Sequence, residues 1–157
     1  MPLIDPGKKA PAFTLKDQSG KAHKLADYAG RPVILYFYPK DDTPGCTKEA
    51  CDFRDHLPKF DRSKAAVLGV SILDTASKAK FAKKHGLNFT LLADPDHEVA
   101  ERYGAWKKKS MYGKSYMGVQ RATFIIDPEG TVAHVIPKAS PKTHDDEVLT
   151  ALAGLAA

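Results

Sequence analysis

The stretch that most constrains this chain runs from Val33 to Cys51. Val33 to Tyr38 is apolar almost throughout and reads as a strand buried on both faces, stopping at Pro39. Polar turn residues follow, Lys40 to Thr43, and Pro44 opens a helix. Thr43 suits the N-cap, and proline suits the first helical position because it lacks an N–H that would be left unpaired there. Cys46 then falls in the first helical turn, where free backbone N–H groups and the positive end of the helix dipole favour a thiolate. Two fates fit that position: a reactive nucleophile, or the small buried core residue that an isolated cysteine commonly becomes. Along the helix Cys46, Ala50, Phe53 and Leu57 form one apolar stripe, which turns the Cys46 side chain inward. Pro58 is expected to end the helix.

Cys51, the only other cysteine, narrows the choice. On one regular helix the two residues are separated by a rise of about 7.5 Å and a turn of about 140°, so their Cα atoms lie about 8.5 Å apart. A disulfide usually needs less than about 7 Å between those atoms. The thiols are therefore neighbours that cannot join while the helix is intact. A reduced helical state and an oxidised, locally unwound state are implied, which suits a redox cycle better than a structural staple.

Strands and helices alternate around this unit. Phe13 to Lys16 and Lys21 to Lys24 read as a hairpin about the turn Asp17 to Gly20, and Leu25 to Tyr28 as one helical turn. Ala65 to Ile72 is a second buried strand, followed by a helix capped by Asp74 or Thr75 and stopped by Gly86. Phe89 to Ala93 is a strand and Glu98 to Tyr103 a short helix. Lys107 to Ser115 is polar and lysine-rich and reads as a mobile loop. Tyr116 to Val119, Ala122 to Ile126 and Thr131 to Ile136 are strands, and Asp145 to Leu155 is a closing helix with an acidic first turn. This order is compatible with a mixed sheet flanked by helices, a pattern that several α/β folds share.

At 157 residues, with no repeats or linkers, the expectation is one domain spanning 1–157. The net charge of +5 is spread over the chain apart from Lys107, Lys108 and Lys109. No basic face interleaved with aromatics is evident, so a solvated surface is expected rather than a nucleic-acid partner. No apolar run approaches the roughly 18 residues of a membrane span, and the N-terminus has no basic region followed by an apolar one. Two cysteines are too few for a secreted disulfide framework, and a reducing cytoplasm is the expected location. The histidines, His23, His56, His85, His97, His134 and His144, lack ligand spacing, so no metal or other cofactor is expected. There is no Cys-x-x-Cys of the kind a thiol–disulfide oxidoreductase carries.

Pro39, Thr43 and Cys46, spaced Pro-x-x-x-Thr-x-x-Cys, resemble the active-site motif of the peroxiredoxins. With Cys51 five residues on, the run is similar to the bacterioferritin comigratory protein or peroxiredoxin Q group. The resemblance continues through Ala10 to Leu15, Gly69 to Ser71, Phe89 to Asp94, Tyr103 to Trp106 and Arg121 to Asp127. It implies a thioredoxin-like fold, a mixed central sheet flanked by helices with an N-terminal β-hairpin extension.

The same resemblance implies a thiol-dependent peroxidase with Cys46 peroxidatic and Cys51 resolving. Thr43 would hydrogen-bond the peroxide, Pro39 would shield the sulfur from water, and Arg121 would be the cation beside it. An arginine leading into a buried strand is in any case expected to be tied to a partner. Glu49 is within reach of Arg121, but an exposed helical acid fits equally, and it is not included in the site. Cys46 would attack a hydroperoxide to give a sulfenic acid, and Cys51 would condense with it to an intramolecular disulfide. Thioredoxin or a glutaredoxin-type dithiol protein would then restore the thiols. An intrachain partner removes one reason to dimerise, and a monomer is expected.

Overall fold

Every residue of β3 (Val33–Phe37) is buried, as its continuous apolar run requires. In the computed structural model, which describes residues 2–62, 64–138 and 144–155, this strand lies inside a mixed sheet. It pairs in parallel with β4 (Ala66–Ser71) and antiparallel with β8 (Thr123–Ile126). The sheet continues through β5 (Thr90–Ala93), parallel to β4, to the N-terminal hairpin of β1 (Thr14–Asp17) and β2 (Ala22–Lys24). On the other side β9 (Val132–Ile136) pairs with β8. Among the described residues the strand order is β2-β1-β5-β4-β3-β8-β9.

Alternation along β3 divides the core into two layers. Val33, Leu35 and Phe37 face a cluster that includes Phe13, Val70, Tyr103 and Phe124, closed by Val99 of α3 (Glu98–Arg102). Ile34, Tyr36 and Tyr38 face Cys46, Ala50 and Phe53 of α1 (Pro44–Arg62), with Phe81 of α2 (Thr75–His85) and Val148 of α4 (His144–Leu155). Tyr36 stacks on Phe53 at 4.8 Å between ring centroids. Its register partner on β4 is Gly69, where an added Cβ would lie 2.8 Å from the Tyr36 phenol. Glycine there is what admits a tyrosine beneath the first turns of α1.

Two local expectations are corrected. Pro58 does not end α1, which continues to Arg62. A helical proline removes one N–H and so orphans the carbonyl four residues back. Here that carbonyl, of Arg54, accepts from Asn88 Nδ2 at 3.5 Å. Beyond the proline Phe60 is fully buried and packs on Phe53 at 5.4 Å, so docking of the last turn outweighs the break. Residues 107–115 are likewise not a loop. They belong to a two-stranded hairpin, β6 (Trp106–Met111) and β7 (Lys114–Val119). Tyr112 and Gly113 make its two-residue turn with φ of +52° and +77°, the left-handed pair that matches strand twist.

The cap of α2 falls where expected, Asp74 accepting from Ser77 N–H at 2.8 Å with Gly86 left-handed at the other end. The closing helix starts at His144, and the side chains of its acidic first turn, residues 145 and 146, lie outside the described residues.

The N-terminal hairpin is tied by Asp17, whose carboxylate pairs with His23 Nε2 at 2.7 Å and accepts from Ser19 and Lys21 N–H groups. Burial pushes this carboxyl up, but His23, Ser19 and Lys21 outweigh it and hold it at about 2. The unfolded chain, with an ordinary value of 3.8, therefore takes up the proton first on acidification. The stabilisation is complete above 3.8 and is lost as pH falls through about 2. Across that window the melting temperature of the wild type should fall more steeply than that of Asp17→Asn. Parallel slopes in a thermal melt series would contradict this.

Candidate active site

Strand β3 delivers the chain to the end of the sheet, and its pairing extends one step further as Tyr38 N–H donates to the Val70 carbonyl at 3.0 Å. Pro39 follows, half-buried, and the turn reverses through Asp42, a non-glycine residue at φ +60°. Thr43 starts α1 with its carbonyl, which accepts from Thr47 N–H at 2.8 Å. The Thr43 hydroxyl turns back and donates to the Lys40 carbonyl at 3.2 Å. It thereby ties the turn to itself, a different use of the side chain from the N-cap expected.

Cys46 is in the first turn of α1 and is 1% exposed, on the inward stripe with Ala50 and Phe53. Arg121, just before β8, reaches it from the neighbouring strand, and Nη2 donates to Cys46 Sγ at 3.2 Å. Its other terminal nitrogen, Nη1, pairs with Glu49 Oε1 at 3.1 Å. The guanidinium is thus shared between a sulfur and a carboxylate that are both buried, while one fifth of its own side chain is open to solvent. Burial works against the Arg121 charge, but Glu49 and Cys46 outweigh it and hold the guanidinium above its usual range. The pair places a fixed cation against the sulfur at the positive end of a helix. A buried nucleophile with such a partner can attack an electrophile and hold negative charge while doing so.

Cys51 lies further along α1, partly exposed, and both cysteines are free thiols. The helix runs unbroken through both positions, so the separation of about 8.5 Å argued from helix geometry holds in this reduced form.

The structure therefore brings Cys46 and Arg121 together, puts Thr43 and Pro39 in the turn that leads into the helix, and keeps Cys51 apart on the same helix. Two neighbours of this group lie outside the site drawn from the sequence. Glu49 is not the exposed acid that fitted equally well; its position three residues after Cys46 was the available signal. Lys109 was assigned to a loop. It is half-buried on β6, and its ammonium donates to the Val119 carbonyl at 2.5 Å. Burial pulls Lys109 below the usual lysine range; Arg121 lowers it further and Cys46 opposes both, which marks the hairpin as part of the site's electrostatic surroundings.

Among the described residues no helix is long and apolar enough to cross a membrane.

Comparison with known proteins agrees with this geometry. The family model described as AhpC/TSA family matches residues 6–135. Peroxiredoxin Bcp of Bacillus subtilis (strain 168) is 47% identical over 149 residues, covering 95% of each chain. Peroxiredoxin Bcp of Escherichia coli (strain K12) is 44% identical over 143 residues, 91% of this chain and 92% of that protein. The solved bacterioferritin comigratory protein of Xanthomonas campestris superposes with a TM-score of 0.91 at 38% identity, covering 98% of this chain and 100% of that one. The expected fold, a thioredoxin-like mixed sheet flanked by helices, is the observed one. The chain belongs to the AhpC/TSA family, as a peroxiredoxin enzyme of the bacterioferritin comigratory protein and peroxiredoxin Q group.

Proposed function

We propose that residues 1–157 act as one domain that reduces hydrogen peroxide and small organic hydroperoxides through Cys46, with Cys51 as the resolving thiol. The observation that carries this reading is the 3.2 Å hydrogen bond from Arg121 to the Cys46 sulfur in the first turn of α1. The guanidinium favours the thiolate, which is the attacking species. Sulfur attacks one peroxide oxygen, the S–O bond forms as the O–O bond breaks, and the leaving oxygen takes a proton to depart as water or an alcohol. Arg121 faces the charge that develops during this step.

Thr43 and Pro39 complete the pocket. With its proton given to Lys40, the Thr43 hydroxyl has lone pairs to accept a hydrogen bond from the peroxide. Pro39 covers the sulfur against water. Glu49 orients Arg121 without touching substrate, as a positioning residue.

The resulting Cys46 sulfenic acid condenses with the Cys51 thiol, forming the S–S bond and releasing water. On helix geometry this needs α1 to unwind locally. Thioredoxin, or a glutaredoxin-type dithiol protein, then attacks the disulfide and carries away the two oxidising equivalents. The reducing cytoplasm fits such a cycle, and a monomer suffices for it.

Peroxide consumption driven by a thioredoxin system tests this. Wild type should turn over continuously. Cys51→Ser should undergo one rapid oxidation and then recycle at least about tenfold more slowly, because its sulfenic acid has no partner thiol. Wild-type recycling by that variant would remove Cys51 from the cycle.

A further inference from the structure

Three side-chain ties join α2 to the two ends of the redox segment, and one is an ion pair taken almost entirely out of solvent. Lys78, in the middle of α2, is completely buried, and the Asp41 side chain is 3% exposed. The Lys78 ammonium lies 3.4 Å from Asp41 Oδ2 and 3.5 Å from Oδ1, donates to Tyr38 Oη at 3.4 Å, and also donates to Ser71 Oγ. Asp41 in turn accepts from Tyr38 Oη at 2.5 Å and from Ser77 Oγ at 2.7 Å. The next residue, Asp42, pairs with Lys84 and His85 at 2.7 Å each. On the far side of the cysteines, Arg54 Nη1 donates to the His85 carbonyl at 2.5 Å.

We propose that α2 is a clamp on the redox helix: the buried Lys78–Asp41 pair and the Arg54–His85 tie fix both ends of residues 43–53 and restrain their unwinding. This rests on the reading that Cys46 and Cys51 bridge. From residue 44 to residue 54 the helical chain spans about 15 Å, whereas the same ten steps unwound reach more than 30 Å. Ends held near the helical distance leave the unwound segment fewer conformations, so the entropy gained on melting shrinks. The clamp therefore favours the state in which Cys46 faces peroxide and delays its meeting with Cys51. It also confines melting to the stretch between the ties. Lys78 and Asp41 touch neither substrate nor sulfur and are positioning residues for the resolving step. Their setting sets a ratio: slow condensation leaves the sulfenic acid exposed longer to a second peroxide, which carries it to sulfinic acid.

The test compares wild type with Lys78→Met/Asp41→Asn, which neutralises both partners so that neither charge is stranded in the interior. Rapid mixing with one equivalent of hydrogen peroxide should show condensation to the disulfide about three- to tenfold faster, the range expected for loss of about one net intramolecular hydrogen bond. The first oxidation should stay within about twofold, and at high peroxide the sulfinic fraction measured by mass should fall. Amide exchange of the reduced protein supplies a second readout independent of turnover. Residues 45–53 should open faster in the double variant while amides of 78–85 keep the protection set by global stability. Asp42→Asn, at an exposed tie, should move both readouts the same way by less. Condensation and local exchange equal to wild type in a folded double variant would overturn the clamp. If wild type itself forms no Cys46–Cys51 bridge, the two-cysteine reading fails instead.

Discussion

Cys46→Ser is expected to consume no peroxide above background while keeping its fold. Serine is close in size to cysteine and fills the same site against Ala50 and Phe53, and its hydroxyl can still accept from Arg121. The difference is chemical. A serine hydroxyl stays protonated at neutral pH even beside a guanidinium, and its oxygen cannot take an oxygen atom to give a sulfenic acid. The loss should exceed about 1,000-fold, as for removal of a nucleophile from any covalent mechanism. Turnover with thioredoxin should vanish with it, although Cys51 is intact. Wild-type consumption by this variant would remove Cys46 from the chemistry altogether.

The second large effect belongs to Arg121, and it has two parts. Arg121→Ala takes away the donor to Cys46 and leaves Glu49, fully buried, without the cation it pairs with. Removing one partner of a buried ion pair destabilises by roughly 3 kcal/mol, readable from a denaturant midpoint. Removing the group aimed at the developing charge should slow the peroxide step by about 100-fold. Arg121→Lys separates the parts. A lysine keeps the charge but has no planar fork, so one ammonium cannot serve Sγ and Oε1 as two guanidinium nitrogens do. It should recover most of the stability and only part of the rate. A peroxide rate within twofold of wild type in Arg121→Ala would exclude the guanidinium from the reaction.

What the sequence made legible follows the distance over which each signal acts. Strand β3, the helix from Pro44 and the inward stripe through Cys46 rest on patterns a few residues long, and the structure keeps all of them. Arg121 was reached because it opens an apolar strand within a family motif. The failures need knowledge of what folds back. Pro58 reads as a helix stop, and only Asn88, thirty positions on, relieves the carbonyl it orphans. The β6–β7 hairpin carries lysines where alternation would show apolar residues, and Tyr112-Gly113 is not the usual pair for its turn. Lys78 sits in a lysine-rich helix and looks solvated. Its burial depends on an aspartate 37 positions earlier, which no window of helical length includes. Glu49 is the intermediate case, with the right spacing from Cys46 but a partner supplied by another strand.

The proposed cycle depends on one sulfur activated by Arg121 and a second held out of reach on the same helix. The most direct measurement is the mass of the protein after one equivalent of hydrogen peroxide, followed by mapping of cysteine-containing peptides. The account predicts a monomeric product lighter by two hydrogens, with a single bridge between Cys46 and Cys51. Both thiols recovered unmodified and unlinked, in protein that remains folded, would contradict it.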